Sequence, residues 1–388
     1  MNVIVVGGGT AGWISAAYLS NKCGHNVSLI ESDKVGIVGV GESTIPSIVN
    51  VFQSCGITES DLFEKCNAVR KYGIVHHNWT KNYPDWEHWF AFEGDRVQDS
   101  IDAMNAYTAG PEGRYAYHLD ARALPGLFKL KNPKITHIID DVNQVVVDNS
   151  GVHSIVGDKG TYTADVYIDC TGYASLIRGK FPQQRKHHKN LINNYAVAGP
   201  SVYTETNPPS KRTHTYAMDY GWRWQIDLQH RSGNGYVFNK NMISVDRAVD
   251  EFVRASGVNI NDVFEVPISN SFIVDPYYKN VLSVGLSSGF LEPLEATGIF
   301  LIYSIVELFE KFHNHPRGHD LLNRMWHNTY KGVASYLELF YTTSDLDHTE
   351  YWKSFQKVDK IVYQPNTLFK KHPSWTGLAD NRRVKLEE

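Results

Sequence analysis

The first thirty-one residues restrict the fold more than any other stretch. An apolar run, Val3 to Val6, leads into Gly7-Gly8-Gly9-Thr10-Ala11-Gly12, then into Trp13-Ile-Ser-Ala-Ala-Tyr-Leu. A second apolar run, Val27 to Ile30, ends at Glu31. Short apolar runs of this kind read as strands buried on both faces of a parallel sheet. Gly7, Gly9 and Gly12 keep the G-x-G-x-x-G spacing. The first allows a tight turn, the second lets backbone approach a pyrophosphate, and the third lets helix pack on strand. The helix that follows points its N-terminal N–H groups at the phosphates, with Thr10 and Ala11 among the cofactor-binding candidates. Glu31 closes the second strand, where a carboxylate accepts hydrogen bonds from ribose hydroxyls. Strand, glycines, helix, strand and acid together read as a dinucleotide site. The competing reading is a glycine-rich turn that holds no ligand.

The rest of the chain is read as follows. Val35 to Pro46 carries Gly39, Val40, Gly41 and Glu42 and is expected to be a loop. Helices are expected over Ser47–Cys55 and Leu62–Ala68, the latter capped from Thr58. Lys71 to Trp79 is extended. Residues 83–117 are irregular and hold Trp86, Trp89, Phe90 and Phe92 close together. A helix is expected from His118 to about Leu130, a meander over Ile135–Val156, and a strand over Tyr162–Asp169. Residues 195–275 alternate apolar and polar, as an antiparallel sheet does. Val281 to Gly285 returns as a strand, and helices follow over Ile299–Phe312 and about Asp320–Leu339.

This layout predicts an α/β fold: a Rossmann-like FAD-binding domain with an inserted antiparallel β-sheet substrate domain, as in two-domain flavoprotein monooxygenases. The first domain is expected to be discontinuous, over 1–80, 118–190 and 276–315. The substrate side takes 81–117 and 191–275, and 316–388 forms a C-terminal helical segment.

Composition narrows the partners. The net charge is −4, so nothing favours nucleic acid. The most apolar late segment, Gly298 to Phe309, is too short to span a membrane. Cys23, Cys55, Cys66 and Cys170 lack metal spacing and read as reduced thiols of a cytoplasmic protein. The pairs His76-His77, His187-His188 and His313/His315 have no third ligand at a diagnostic spacing, so no metal is expected.

Several stretches resemble the flavin-dependent halogenases, in their tryptophan-type branch, from residue 3 to about residue 352. Gly7 to Trp13 is similar to the first family motif, and Gly39-Val-Gly-Glu-Ser-Thr-Ile-Pro46 to its flavin strap. Gly221-Trp222-Arg-Trp224-Gln-Ile226 resembles W-x-W-x-I-P, with Asp227 where the family has proline. Phe290-Leu-Glu-Pro-Leu-Glu295-Ala-Thr-Gly298 is similar to the halide-site stretch, and Tyr341-Thr-Thr-Ser-Asp345 to a further segment.

The resemblance implies the following. A separate flavin reductase supplies FADH2. Halide and O2 yield hypohalous acid beside the flavin, and the acid passes inside the protein to a lysine, here Lys71 upstream of Asn78-Trp79. Glu295 is the accompanying carboxylate. Thr297 and Gly298 offer backbone amides to halide (Cl, Br or I), and Leu286 lies against the flavin. Trp222 and Trp224, with Phe90 and Phe92, separate flavin from substrate. Ala296, where many relatives have serine, implies a site at which bromide or iodide works at least as well as chloride. Tryptophan-specific members continue for a long helical cap. This sequence ends sooner, like the small phage-type members, which implies a permissive enzyme for small free aromatics or indoles and is compatible with a homo-oligomer. An aromatic hydroxylase on the same fold, or a non-catalytic flavin-binding relative, are the competing readings.

Overall fold

A computed structural model describes residues 1–36, 39, 41–81, 85–90, 115–204 and 208–356, with backbone alone at Trp86 and Trp89. Val40, Phe92 and the side chains of Trp86 and Trp89 therefore lie outside the described residues, as does the chain after 356.

The glycine-rich start forms the centre of a six-stranded sheet. Its order is Tyr277–Tyr278, Val281–Ser283, Val166–Asp169, Asn2–Val6, Asn26–Glu31, Thr136–Ile139. All pairs are parallel except the first, which is antiparallel. The late strand thus rejoins the first one's sheet through Val166–Asp169. Val3, Val5, Leu29 and Ile168 are buried because helices cover the sheet. Those helices are Thr10–Ala17, Thr297–Phe312 and Gly318–Thr342, and their apolar faces join one core containing Ile14, Ile305, Phe309, Tyr330 and Leu337.

The second layer is a seven-stranded sheet in the order Phe264–Pro267, Tyr195–Ser201, Ser232–Phe238, Gly221–Asp227, Arg212–Met218, Gly73–His77, Asp85–Trp89. Only Gly73–His77 and Arg212–Met218 run parallel, with His76 opposite Thr215. A separate three-stranded sheet has the order Glu42–Ser43, Ala116–Leu119, Val69–Lys71, so Lys71 ends one of its edge strands.

Four local expectations are corrected. His118 does not begin a helix. Ala116–Leu119 is a strand, buried between its two partners, and the helix is Leu124–Lys131 with Pro125 in its first turn. The loop to Pro46 contains the short strand Glu42–Ser43, and Asp85–Trp89 is a strand within the aromatic stretch. Within the alternating region lies a helix, Val245–Ser256, capped by Ser244 and ended by Gly257 in the left-handed conformation. A further short helix, Glu350–Phe355, buries Tyr351, Trp352 and Phe355. Among the described residues no helix is long and apolar enough to cross a membrane.

Candidate active site around Lys71

The glycine turn is built as a cradle. Gly7 has φ +114°, and a Cβ on Gly12 would lie 1.7 Å from the Gly7 carbonyl oxygen, so neither position admits a side chain. At Gly9 a Cβ would meet nothing within 4 Å, so open space lies over the start of the Thr10–Ala17 helix. Glu31 sits under the turn. One carboxylate oxygen is held by His137 and the other abuts Gly8. The turn at Gly285, φ +69°, comes up against Ala11 and leaves Leu286 39% exposed beside it. Open space over an N–H-rich helix start, an apolar side chain at its edge and an acid below are what a flavin dinucleotide needs.

The segment after Gly39 leads from this cradle toward Lys71. Gly41 has φ +114° and packs near Ile226 and Gly233. The Glu42 carboxyl, partly open to solvent, is pushed up to about 7 by desolvation. Ser43 bonds Thr213 at 2.8 Å. Thr44 is tied three times to Tyr117: its amide (3.1 Å) and hydroxyl (2.8 Å) donate to the Tyr117 carbonyl, and the hydroxyl accepts from the Tyr117 amide (2.9 Å). This fixes the Thr44 carbonyl, to which Lys71 Nζ donates at 3.0 Å.

Lys71 has no exposed surface, and Phe90 lies 5.0 Å from its Nζ. Burial pulls its ammonium down to about 7, against the opposing pull of Glu295. His118, on the neighbouring strand, is pulled down to about 3 by burial and by Lys71. It donates from Nδ1 to the Asp227 carbonyl (3.0 Å) and bonds Thr213 through Nε2 (2.8 Å).

Glu295 is buried too, and both its oxygens are taken. His76 Nε2 donates to Oε1 and His88 Nδ1 to Oε2, each at 2.8 Å. Burial alone would push this carboxyl up; the His88 and His76 rings outweigh it and hold it well below the usual carboxylate range. Hydrogen bonds to a charged group are worth about 1.5–3 kcal/mol each, enough to keep a buried carboxylate ionised when two converge.

Trp222 is fully buried and donates its indole N–H to Glu292 Oε2 at 3.3 Å. Glu292, pushed up by burial, also accepts from Asn193 (2.7 Å) and Tyr341 (2.8 Å). Trp224 is half-buried, 6.0 Å from the Trp222 ring, and lies flat on Gly235, where a Cβ would strike it. Asp227 is a buried acceptor for Ser210 N, Ser232 Oγ and Gln225 Nε2. A proline's fixed turn is replaced here by a carboxylate that binds three donors.

Ala296 adopts the left-handed conformation, φ +58°, immediately before the helix Thr297–Phe312. The first N–H groups of that helix have no intrahelical acceptor. Thr297 Oγ1 is buried without a hydrogen-bond partner, while Gly298 is exposed with open space at its Cβ position.

Sequence reasoning missed His76 and His88 as ligands of Glu295, and Thr44, Thr215 and His118 around them. The available signal was His76 on the strand just after Lys71, which had been weighed only as one of a metal pair. His313, for which no third ligand was expected, has Glu310 and His25 nearby, with ligand atoms within 4.8 Å of one another. His25 Nε2 bonds Glu310 at 3.0 Å, and His313 Nδ1 lies within hydrogen-bond distance of the Phe309 and Glu310 carbonyls.

The model of the tryptophan halogenase family matches residues 2–109 and 97–371. The chain is 28% identical to a 7-chloro-L-tryptophan 6-halogenase of Kutzneria sp. (strain 744), over 98% of this chain and 86% of that one. It is 29% identical to the tryptophan 6-halogenase SttH of Streptomyces toxytricini, over 98% and 85%. The solved SttH structure superposes with a TM-score of 0.80 at 26% identity, covering 92% of this chain and 81% of SttH. A tryptophan halogenase structure from Shewanella frigidimarina, 24% identical and covering 100% and 89%, shares the fold with a TM-score of 0.88. A family match across most of the chain makes this chain a member of the tryptophan halogenase family of flavin-dependent enzymes.

Proposed function

We propose that this chain halogenates a small electron-rich aromatic, an indole or a phenol, and that Lys71 hands the halogen to the ring. When bound as FADH2, loaded by a separate reductase, the flavin supplies with O2 the oxidising power that turns halide into hypohalous acid. Gly7, Gly9, Thr10, Ala11 and Gly12 would hold its pyrophosphate, with Glu31, Gly39, Val40, Gly41, Glu42 and Leu286 around it.

The observation that carries this reading is Lys71, a wholly buried amine whose carbonyl partner belongs to the strap. A buried lysine is expensive and needs a use. As an ammonium it keeps donors beyond the Thr44 bond. One of them can bond the oxygen of hypohalous acid and draw electron density from the halogen. Glu295 favours that charged state. The halide would rest on the Thr297 and Gly298 amides, at the start of the Thr297–Phe312 helix. Trp222 and Trp224 would close the flavin off from the aromatic substrate, with Phe90 beside Lys71; Phe92 is proposed to share that barrier. Stacking contacts of about 0.5–1.5 kcal/mol discriminate weakly among aromatics, which supports a permissive enzyme.

The test supplies FADH2, O2 and each halide with a panel of indoles and phenols and reads product mass. Exchange of hydrogen for halogen, lost in Lys71→Ala with flavin binding kept, is expected. A gain of one oxygen instead would make the chain a hydroxylase.

A further inference from the structure

Glu295 is held from behind by a chain of hydrogen bonds whose direction can be read. Trp79 Nε1 lies 3.2 Å from Thr215 Oγ1. An indole N–H only donates, so the threonine oxygen accepts. Thr215 Oγ1 in turn lies 2.7 Å from His76 Nδ1. Thr215 is buried, and among the described residues His76 Nδ1 is the one acceptor within reach of its hydroxyl hydrogen. With the hydroxyl donating to Nδ1, that atom is the lone-pair nitrogen and the ring proton sits on Nε2, which lies 2.8 Å from Glu295 Oε1. Register supports this order. Thr215 and His76 are paired across parallel strands. Phe340, with ring centroids 4.7 Å apart, and the Trp79 edge wedge the imidazole in place.

We infer that Trp79, Thr215 and His76 form a one-way donor relay that locks His76 as the neutral Nε2–H tautomer and so fixes Glu295 as the anion of the Lys71 compartment. His76 and Thr215 are then positioning residues for halogen transfer, acting through Glu295. The inference rests on the proposed role of Lys71. The titratable groups that bear on it come from four elements. His76 and His88 approach Glu295 from Gly73–His77 and Asp85–Trp89, Glu295 acts on Lys71 of Val69–Lys71, and Lys71 acts on His118 of Ala116–Leu119. A charged His76 would cancel the field of Glu295 at Lys71, and the lysine would lose its proton at lower pH. The relay prevents that, because a hydroxyl donating to Nδ1 leaves no room for a second ring proton.

Imidazole-15N-labelled full-length protein tests the lock directly. The His76 signals, assigned with His76→Phe, should show Nδ1 unprotonated and Nε2 protonated, without titrating between about pH 6 and about pH 9. Thr215→Val keeps the side-chain shape and removes the hydroxyl. It should let His76 titrate, move the alkaline limb of kcat to lower pH, and cut kcat roughly tenfold with KM for the aromatic nearly unchanged. Thr215→Ser restores the hydroxyl and should restore both readouts. A wild-type His76 that titrates like a free imidazole, or a Thr215→Val protein with unchanged tautomer and pH profile, overturns the relay. A locked His76 in a protein that halogenates nothing supports the relay and removes the Lys71 assignment instead.

Discussion

Lys71 and Glu295 are both buried and act on each other through space, with no ion pair between them. Lys71 donates to the Thr44 carbonyl, and the two Glu295 oxygens are held by His76 and His88. A direct pair would consume donors that the proposed role asks of Lys71. On that proposal, separation lets Glu295 favour the ammonium while Lys71 keeps N–H groups for the oxidant.

That separation makes Lys71 costly to the fold. Its folded value of about 7 lies below the ordinary 10.5, so between these pH values the unfolded chain binds more protons than the native one. Stability therefore rises with pH through that window and levels off above about 10.5. Lys71→Met should flatten this rise and raise the melting temperature at neutral pH. The gain is of order a few kcal/mol at most. The same variant should lose halogenation by about 100-fold or more while binding flavin normally. Urea titrations at several pH values and a flavin-quenching titration check both halves. A melting temperature below that of the parent at neutral pH would contradict the account.

Asp227 provides a test remote from the chemistry. Asp227→Ala would strand the buried Ser232 hydroxyl and take an acceptor from the half-buried Ser210 amide and from Gln225. An unpaired buried donor costs about 1–3 kcal/mol, so a loss of about that size is expected in urea denaturation. Asp227→Pro should fare no better, because it supplies a turn and none of the three acceptor contacts.

The parts legible in the sequence share one property: each depends on spacing within a short segment. Gly7, Gly9, Gly12 and Glu31 declare a strand–helix–strand unit, and Ile299, Ile302, Ile305 and Phe309 declare a helix face. His76 could not be read so. Its meaning comes from Thr215, paired with it across 139 residues, and from Glu295, 219 residues away. The strand Ala116–Leu119 was missed for the same reason. Its burial is dictated by Glu42–Ser43 and Val69–Lys71 on either side, and isolated propensity does not report neighbours.

The cradle yields a sharper prediction for flavin. In Gly12→Ala the new methyl would sit 1.7 Å from the Gly7 carbonyl oxygen, a backbone atom that cannot swing aside. The helix must move off the strand, which spoils the turn that faces the pyrophosphate. Flavin affinity should fall by about tenfold or more, with loss of several degrees in melting temperature. Gly9→Ala places its methyl in open space, so it should fold normally and weaken flavin binding only where the methyl and the ligand compete. Fluorescence quenching and melting curves on the pair separate the two effects.

Thr297 distinguishes a halide site from an ordinary helix start. Its hydroxyl is buried without a partner, which a fold has no reason to keep. Thr297→Val removes that group at constant shape. If the hydroxyl serves no anion, the variant should be more stable by about 1 kcal/mol and kinetically unchanged. If it helps the Thr297 and Gly298 amides to hold halide, the halide KM should rise several-fold while kcat at saturating halide stays near the parent value, since only binding is lost. Competition between bromide and chloride reads the same pocket. Ala296 contributes no hydroxyl, so the larger and more weakly hydrated anion should be used at least as well as chloride. Ala296→Ser should shift the ratio of brominated to chlorinated product toward chloride. A strict chloride preference in the parent, left unmoved by Ala296→Ser, would place the halide elsewhere.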